Sequence, residues 1–153
     1  MGEVFLNTRD YAQALKIMDN MPNLTPQMQE TYQKVAYLRG LQLYADENTD
    51  QAKKYFAKAI QMRANYEYGA LANYWLGDIA HKEGQYQQSA GHINDFLTTA
   101  SSIRDLPDES SVAMANYGQG YNMLKTKDYN RAAGYFQNVV SVSYTHLTLP
   151  TKA

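Results

Sequence analysis

The chain of 153 residues carries a formal net charge of −1, so it lacks the basic surface that binding to nucleic acid or to an acidic membrane requires. It contains no cysteine, which excludes disulfide frameworks, cysteine-based metal sites and thiol nucleophiles. No apolar run approaches the roughly 18 residues of a membrane-spanning helix, and a hydrophobic content of 44% is ordinary for a globular domain.

The first predicted helical hairpin, residues 1–21, is shorter than the others. Its leading helix has only residues 1–8 before a turn, and its second helix runs from about residue 11 to residue 21, where Pro22 follows. The later leading helices are about twice as long as this one. We therefore expect the natural protein to extend beyond the N-terminus of this chain.

The second hairpin, residues 26–62, begins at a strong helix start. Thr25 has the side chain of an N-cap, and Pro26 fits the first helical position, where its missing N–H removes no hydrogen bond. Apolar residues at helical spacing then predict helices at about 26–45 and 49–62.

Two further hairpins follow at residues 66–99 and 108–141. In the third, Glu83-Gly84-Gln85 separates helices at about 66–82 and 85–99. A connection rich in serine and threonine leads to the fourth, with helices at about 108–126 and 128–141.

The hairpins repeat one pattern of residues at a fixed phase. A glycine in the leading helix is followed nine residues later by an aromatic residue, twelve residues later by a small residue and sixteen residues later by a large apolar residue. Thr49 in the second hairpin is the one exception to the aromatic position. A helical glycine costs roughly 1 kcal/mol relative to alanine, so we attribute Gly77 to close approach of the partner helix at Ser89. The matching residues are Gly40, Ala52 and Phe56; Gly77, Tyr86, Ser89 and Ile93; and Gly120, Tyr129, Ala132 and Phe136.

This pattern resembles the tetratricopeptide repeat, through Trp75-Leu76-Gly77 and Gly84-Gln85-Tyr86, over the stretch from Gly2 to about Val140. The resemblance implies an all-α, right-handed solenoid of about three and a half hairpins that holds partners rather than performing one chemistry. Arg39 and Gln119 depart from it, because the family usually has leucine there.

The resemblance also implies that the leading helices line a concave binding face. Positions three before, one after and four after each glycine share one side of the helix. Tyrosine predominates, which suits recognition of a peptide or a partner helix. An alternative interpretation is that the rings pack between hairpins with only their hydroxyls in water. The predicted partner-binding residues are Tyr37, Leu41, Tyr44, Tyr74, Asp78, His81, Tyr117, Tyr121 and Leu124.

The sequence predicts no catalytic residue, cofactor or metal ion. His81 and His92 lack the spacing of metal-binding motifs, and the residues after Gly118 break the dinucleotide-binding pattern. Family members that clamp a peptide carboxylate use basic residues on the concave face, whereas Lys34, Lys82 and Lys125 fall toward its edges and are expected to be solvated.

Residues 142–151 read Val-Ser-Tyr-Thr-His-Leu-Thr-Leu-Pro-Thr, which resembles the translation of a transposase adapter used in sequencing libraries. We therefore expect residues 142–153 to be a non-native, disordered tail, and the repeat array to occupy residues 1–141.

The predicted function is a non-catalytic scaffold for a protein or peptide partner, with neither nucleic acid nor a membrane span involved. Exposed stacking surfaces at the ends of the array favour self-association. Two alternatives stay open, namely a sensor module of a larger signalling protein and a glycan-binding protein of the cell envelope. The compartment, cytoplasmic or periplasmic, is not determined by the sequence.

Overall fold

The computed structural model describes residues 10–148, and the side chains of residues 10–141. The predicted leading helix of the first hairpin and residues 149–153 lie outside this range. Within it, all regular structure is helical, which confirms the all-α class. The α-helices are α1 (Tyr11–Asp19), α2 (Pro26–Ala45), α3 (Thr49–Met62), α4 (Tyr66–Lys82), α5 (Tyr86–Ala100), α6 (Val112–Lys125) and α7 (Tyr129–Thr148).

The chain divides into two compact units, Met1–Ala72 and Asn73–Ala153, and the boundary falls within α4. In the first unit α2 packs against α1 and α3. In the second unit α6 packs against α5 and α7. Within each unit these packed helices are consecutive in the sequence. No helix within residues 10–148 combines the length and the apolar composition that crossing a bilayer requires.

The fourth hairpin begins differently from the sequence prediction. Asp108–Ser110 form one turn of 3-10 helix, and α6 starts at Val112, not at Asp108. Ser111 has an extended backbone, with φ −78° and ψ 164°, and its hydroxyl accepts a hydrogen bond from the N–H of Met114. This N-cap fixes the start of the α-helix, so the prediction of a helix from Asp108 was wrong.

The last helix also differs from its prediction. It continues to Thr148, so residues 142–148 are helical, whereas a disordered tail was expected from residue 142. No glycine or proline interrupts the sequence between Tyr135 and Leu149, and the residue before Pro150 is disfavoured in a helix. Nothing in the sequence therefore opposes a helix as far as Thr148. The proposed adapter origin of this stretch stays a prediction.

Each repeat glycine lies under a large side chain of the following helix. A Cβ atom at Gly40 would lie 2.7 Å from the Phe56 ring, and one at Gly120 would lie 2.6 Å from the Phe136 ring. At Gly77 the neighbour is Cδ1 of Ile93, at 2.6 Å. The residue sixteen positions on therefore requires the glycine. Ser89, which was expected to do so, instead donates a hydrogen bond of 2.6 Å to the Gly77 carbonyl.

The three hairpin turns share one backbone geometry. Glu47, Gly84 and Lys127, each seven residues after a repeat glycine, have φ values of 61°, 78° and 65°. In each turn the next N–H donates to the carbonyl five residues earlier, at 2.8 Å. This arrangement is the Schellman motif, which satisfies the last carbonyls of the leading helix. Only one of the three turns has glycine at the left-handed position.

A buried glutamine fixes the end of α3 in the first unit. Gln33 is almost fully enclosed, and its Nε2 donates to the Ala59 carbonyl at 2.8 Å. Its Oε1 accepts from the backbone N–H of Asn65 at 2.6 Å. Because Ala59 lies in the last turn of α3, its carbonyl has no partner within the helix. Gln33 thus satisfies one helix end and anchors the residue that precedes the next helix.

We predict that Gly40→Ala destabilises the protein by about 2 kcal/mol. Overpacking a core destabilises a protein by roughly 1–3 kcal/mol. The higher helix propensity of alanine offsets about 1 kcal/mol of this loss. The upper part of that range applies because Phe56 is fully buried and its ring cannot move aside. Chemical denaturation measures the change.

Gly69→Ala is the matched control within the same unit. A Cβ atom there would meet only Gln33 Nε2, at an ordinary contact distance of 3.8 Å. We expect this variant to be as stable as the wild type or slightly more stable. Equal stability changes for the two variants would contradict the close-contact role of Gly40.

Candidate functional site

The second unit contains a cleft of about 190 Å³ between residues of α4, α5 and α6. Side chains spaced by three or four residues on α4 and α6 form its two sides, as helical periodicity requires. Small and branched residues of α4 and α5 complete its surface. The lining residues are Tyr74, Gly77, Asp78 and His81 from α4, Ser89 and Ile93 from α5, and Met114, Tyr117, Gly118 and Tyr121 from α6.

Tyr117 and Tyr121 give the cleft an exposed aromatic side. Their rings lie 5.0 Å apart in an edge-to-face arrangement, and both contact Phe136. They are 47% and 38% exposed. The Tyr117 hydroxyl donates to that of Tyr121 at 3.4 Å, and this hydrogen bond raises the pKa of Tyr117. The phenol of Tyr117 is therefore neutral near pH 7.

Two other predicted contact residues, Tyr37 and Tyr74, are core residues of their own units. Tyr37 is 5% exposed and packs against Phe56 and Tyr68. Tyr74 is 6% exposed and meets Phe96 edge to face at 5.3 Å, although part of its surface lines the cleft. Tyr37 and Tyr74 thus fit the interpretation that the rings pack within the fold, whereas Tyr117 and Tyr121 have the exposure that contact with a partner requires.

Of the remaining predicted residues, some line the cleft and others do not. Leu41 and Tyr44 are half-buried on α2 in the first unit. Leu124 is exposed on α6 but does not line the cleft. Asp78 lines the cleft and forms an ion pair with Lys82 at 3.0 Å, one helical turn further along α4. Five of the nine predicted residues therefore meet at one cleft.

The two aromatic residues of the repeat pattern, Tyr86 and Tyr129, differ in how far they are buried. Tyr86 is half-buried, with its ring 5.3 Å from that of His81 and 6.0 Å from the Lys125 ammonium. Tyr129 is 63% exposed. In contrast, the small residues Ala52, Ser89 and Ala132 are all buried, as the pattern predicts.

A buried polar network connects the two sides of the cleft. Asn122, which is fully enclosed, donates from Nδ2 to Ser89 Oγ at 2.9 Å and to Gln119 Oε1 at 3.1 Å. Its Oδ1 lies 2.7 Å from Nδ1 of His81. Gln119 in turn donates to the Ala90 carbonyl at 3.0 Å. Four polar side chains from α4, α5 and α6 thus share one set of hydrogen bonds.

The network also determines which nitrogen of His81 carries a proton. Because Gln119 Nε2 donates to a carbonyl, its Oε1 must face a donor, which orients the amide of Asn122. The Asn122 oxygen then faces His81, so Nδ1 of His81 is the donor. In the neutral ring Nε2 is therefore an acceptor.

His92 has a separate environment within the same unit. Its Nδ1 lies 3.0 Å from Oδ1 of Asn73. Burial lowers the pKa of His92, and the nearby Asp95 carboxylate opposes part of that effect. Among the described residues, no three histidine, aspartate or glutamate side chains come together in a group that fits a metal ion.

Several residues of the site were not predicted from the sequence. Met114 continues the face of Tyr117 and Tyr121 by one further turn, so helical spacing alone identifies it. Asn122 and Gln119 lie at buried positions of α6, where an apolar residue is expected. A polar residue within a predicted apolar stripe is thus the sequence signal for the network.

A scan against protein-family models matches no family to this chain, and a search of curated proteins finds no relative of it.

We predict that Asn122→Ala lowers the free energy of unfolding by about 2–3 kcal/mol. It leaves the buried Oε1 of Gln119 without the amide donor and removes the acceptor for His81, and each unsatisfied buried group costs roughly 1–3 kcal/mol. Chemical denaturation measures the loss. Asn94→Ala, at an exposed position of α5, is the control and should change stability by no more than about 0.5 kcal/mol. A similar loss in both variants would contradict the role of the network.

We predict a pH-dependent contribution of His92 to stability. Its pKa in the folded protein lies below the ordinary value of 6.5, so the unfolded chain binds more protons between these two values. The contribution is complete above pH 6.5 and is lost as the pH falls toward the folded pKa. Unfolding free energies at pH 7.5 and pH 5.5 should therefore differ more in the wild type than in His92→Gln. An unchanged difference in the variant would refute this contribution.

Proposed function

We propose that the chain is a non-catalytic binding module that holds a peptide segment of a partner protein at the cleft of its second unit. The observation that carries this proposal is the exposed apolar face of α6. Met114, Tyr117, Tyr121 and Leu124 follow one another at spacings of three, four and three residues, and each is more than one-third exposed. Large apolar and aromatic side chains on one surface favour a protein interface.

We further propose that the hairpins form a tetratricopeptide-like right-handed solenoid. The support lies in features that both units share. The glycine contact with the residue sixteen positions on occurs at Gly40 and at Gly120, and the turn seven residues after each glycine has the same geometry. Repetition of one hairpin at fixed phase is typical of arrays that bind partners along their leading helices.

The hydrogen bonds of the cleft favour binding over catalysis. A serine nucleophile needs its hydroxyl directed to a base, but the Ser89 hydroxyl donates to the Gly77 carbonyl. His81 uses Nδ1 for Asn122, and Asn122 is the group that meets Ser89. The serine and the histidine of the cleft are thus linked through an amide, which cannot relay a proton as a base does.

Selection of peptides from a phage-displayed library on the immobilised chain tests the proposal. Binding of an enriched synthetic peptide is then measured by fluorescence anisotropy. We expect the Tyr117→Ala/Tyr121→Ala variant to bind at least tenfold more weakly, since aromatic residues at the centre of an interface commonly contribute more than about 1.4 kcal/mol.

The matched control is Tyr129→Ala, which removes an exposed tyrosine of the same unit outside the cleft. It should bind the peptide as the wild type does, and thermal melts verify that each variant is folded. Failure to enrich any peptide, or equal binding by the double variant, would refute the proposed function.

A further inference from the structure

We propose that the cleft receives an arginine side chain of the bound peptide, with the guanidinium against Asp78 and beside the tyrosine rings. This proposal rests on the proposed peptide-binding function and specifies its chemistry. It assigns to the cleft a preference for positive charge, whereas a carboxylate clamp of the kind found in tetratricopeptide proteins prefers negative charge.

The size of the cleft fits one side chain. Pockets for drug-sized ligands have volumes of roughly 300–1,000 Å³. The cleft measures about 190 Å³ and opens beside the exposed face of α6. A peptide lying along that face would therefore place a single long side chain in the cleft. Gly118 leaves room for this approach, because a Cβ atom there would meet nothing within 4 Å.

The lining of the cleft includes one acidic side chain. Among the described residues that line it, Asp78 is the one carboxylate, and neither lysine nor arginine occurs. The ammonium of Lys82 reaches Asp78 at 3.0 Å, but its side chain is 64% exposed. An exposed ion pair of this kind is worth roughly 0.2–1 kcal/mol. A guanidinium that bonds the carboxylate through two N–H groups can thus replace the ammonium.

Two other polar side chains of the cleft, Ser89 and His81, already donate their protons to groups of the protein. The Ser89 proton is committed to the Gly77 carbonyl, and the Nδ1 proton of His81 is committed to Asn122. Neutral His81 retains the Nε2 lone pair as an acceptor. Guanidinium has five N–H donors and no acceptor, so it complements this arrangement better than an amide or a carboxylate does.

The aromatic side completes the match. Guanidinium is planar and stacks on aromatic faces, where the negative ring quadrupole attracts positive charge. Tyr117 and Tyr121 lie next to one another at the cleft. A carboxylate and two exposed rings together favour arginine over a neutral side chain of the same length.

The test uses two blocked tripeptides, acetyl-Ala-Arg-Ala-amide and its citrulline analogue, which has nearly the same shape without the charge. Each is titrated into the full chain, and the backbone amide resonances are followed by NMR. We expect the arginine peptide to produce saturable shifts at Asp78, Tyr117 and Gly118. The citrulline peptide should bind about tenfold more weakly, which corresponds to one charge-assisted contact of about 1.4 kcal/mol.

Three variants make the assignment specific. Asp78→Asn should weaken binding of the arginine peptide about tenfold, whereas Asp95→Asn, which removes an exposed carboxylate outside the cleft, should leave it unchanged. Lys82→Ala removes the competing ammonium and should tighten binding by roughly two- to fivefold. The proposal is overturned by equal affinity for the two tripeptides, by shifts confined to other surfaces, or by an Asp78→Asn variant that binds as the wild type does. Any of these results leaves the tyrosine-dependent peptide binding tested above untouched.

Discussion

In three hairpins the two helices pack closely at one point, where a glycine of the leading helix contacts a large side chain sixteen residues later. At Gly40, Gly77 and Gly120, the space that a Cβ atom would need is occupied by Phe56, Ile93 and Phe136. Because a turn of left-handed backbone follows seven residues after each glycine, the second helix returns at the same register each time. The positions of the leading helices, and hence of the side chains they present, depend on this contact.

Apolar packing alone does not determine how neighbouring helices are aligned. In the second unit the hydrogen bonds of Asn122 join residues of α4, α5 and α6, and each bond has a specific direction. An alternative register would leave buried amide groups without partners, which costs more than a shift between two apolar surfaces does. The network therefore holds Asp78 and Tyr117 at one cleft, and Gln33 provides comparable specificity at the end of α3 in the first unit.

The sequence predicted the helices well, because their signals are local. Thr25 and Pro26 predicted the start of α2, and the ends of α2 and α3 agree with the prediction at every residue. The start of α6 was missed because serine, aspartate and glutamate all favour a first turn, so the sequence does not show which of them caps the helix. The network was missed for a different reason. The bonds of Asn122 with His81 and Ser89 join residues 41 and 33 positions apart, and periodicity reports the side of a helix without reporting what lies opposite.

Because periodicity does not report what lies opposite a helix, it also does not predict why tyrosines at equivalent repeat positions differ in burial. Tyr37 and Tyr117 stand three residues before their repeat glycines, and sequence periodicity places them on the same face. The ring of Tyr37 meets Tyr68 of the next leading helix, whereas the rings that Tyr117 contacts, Tyr121 and Phe136, belong to its own hairpin. Burial at this position thus depends on the residue that the following helix supplies. A pattern within one hairpin identifies which residues share a helix face, and only the contacts between hairpins decide which of its tyrosines are exposed.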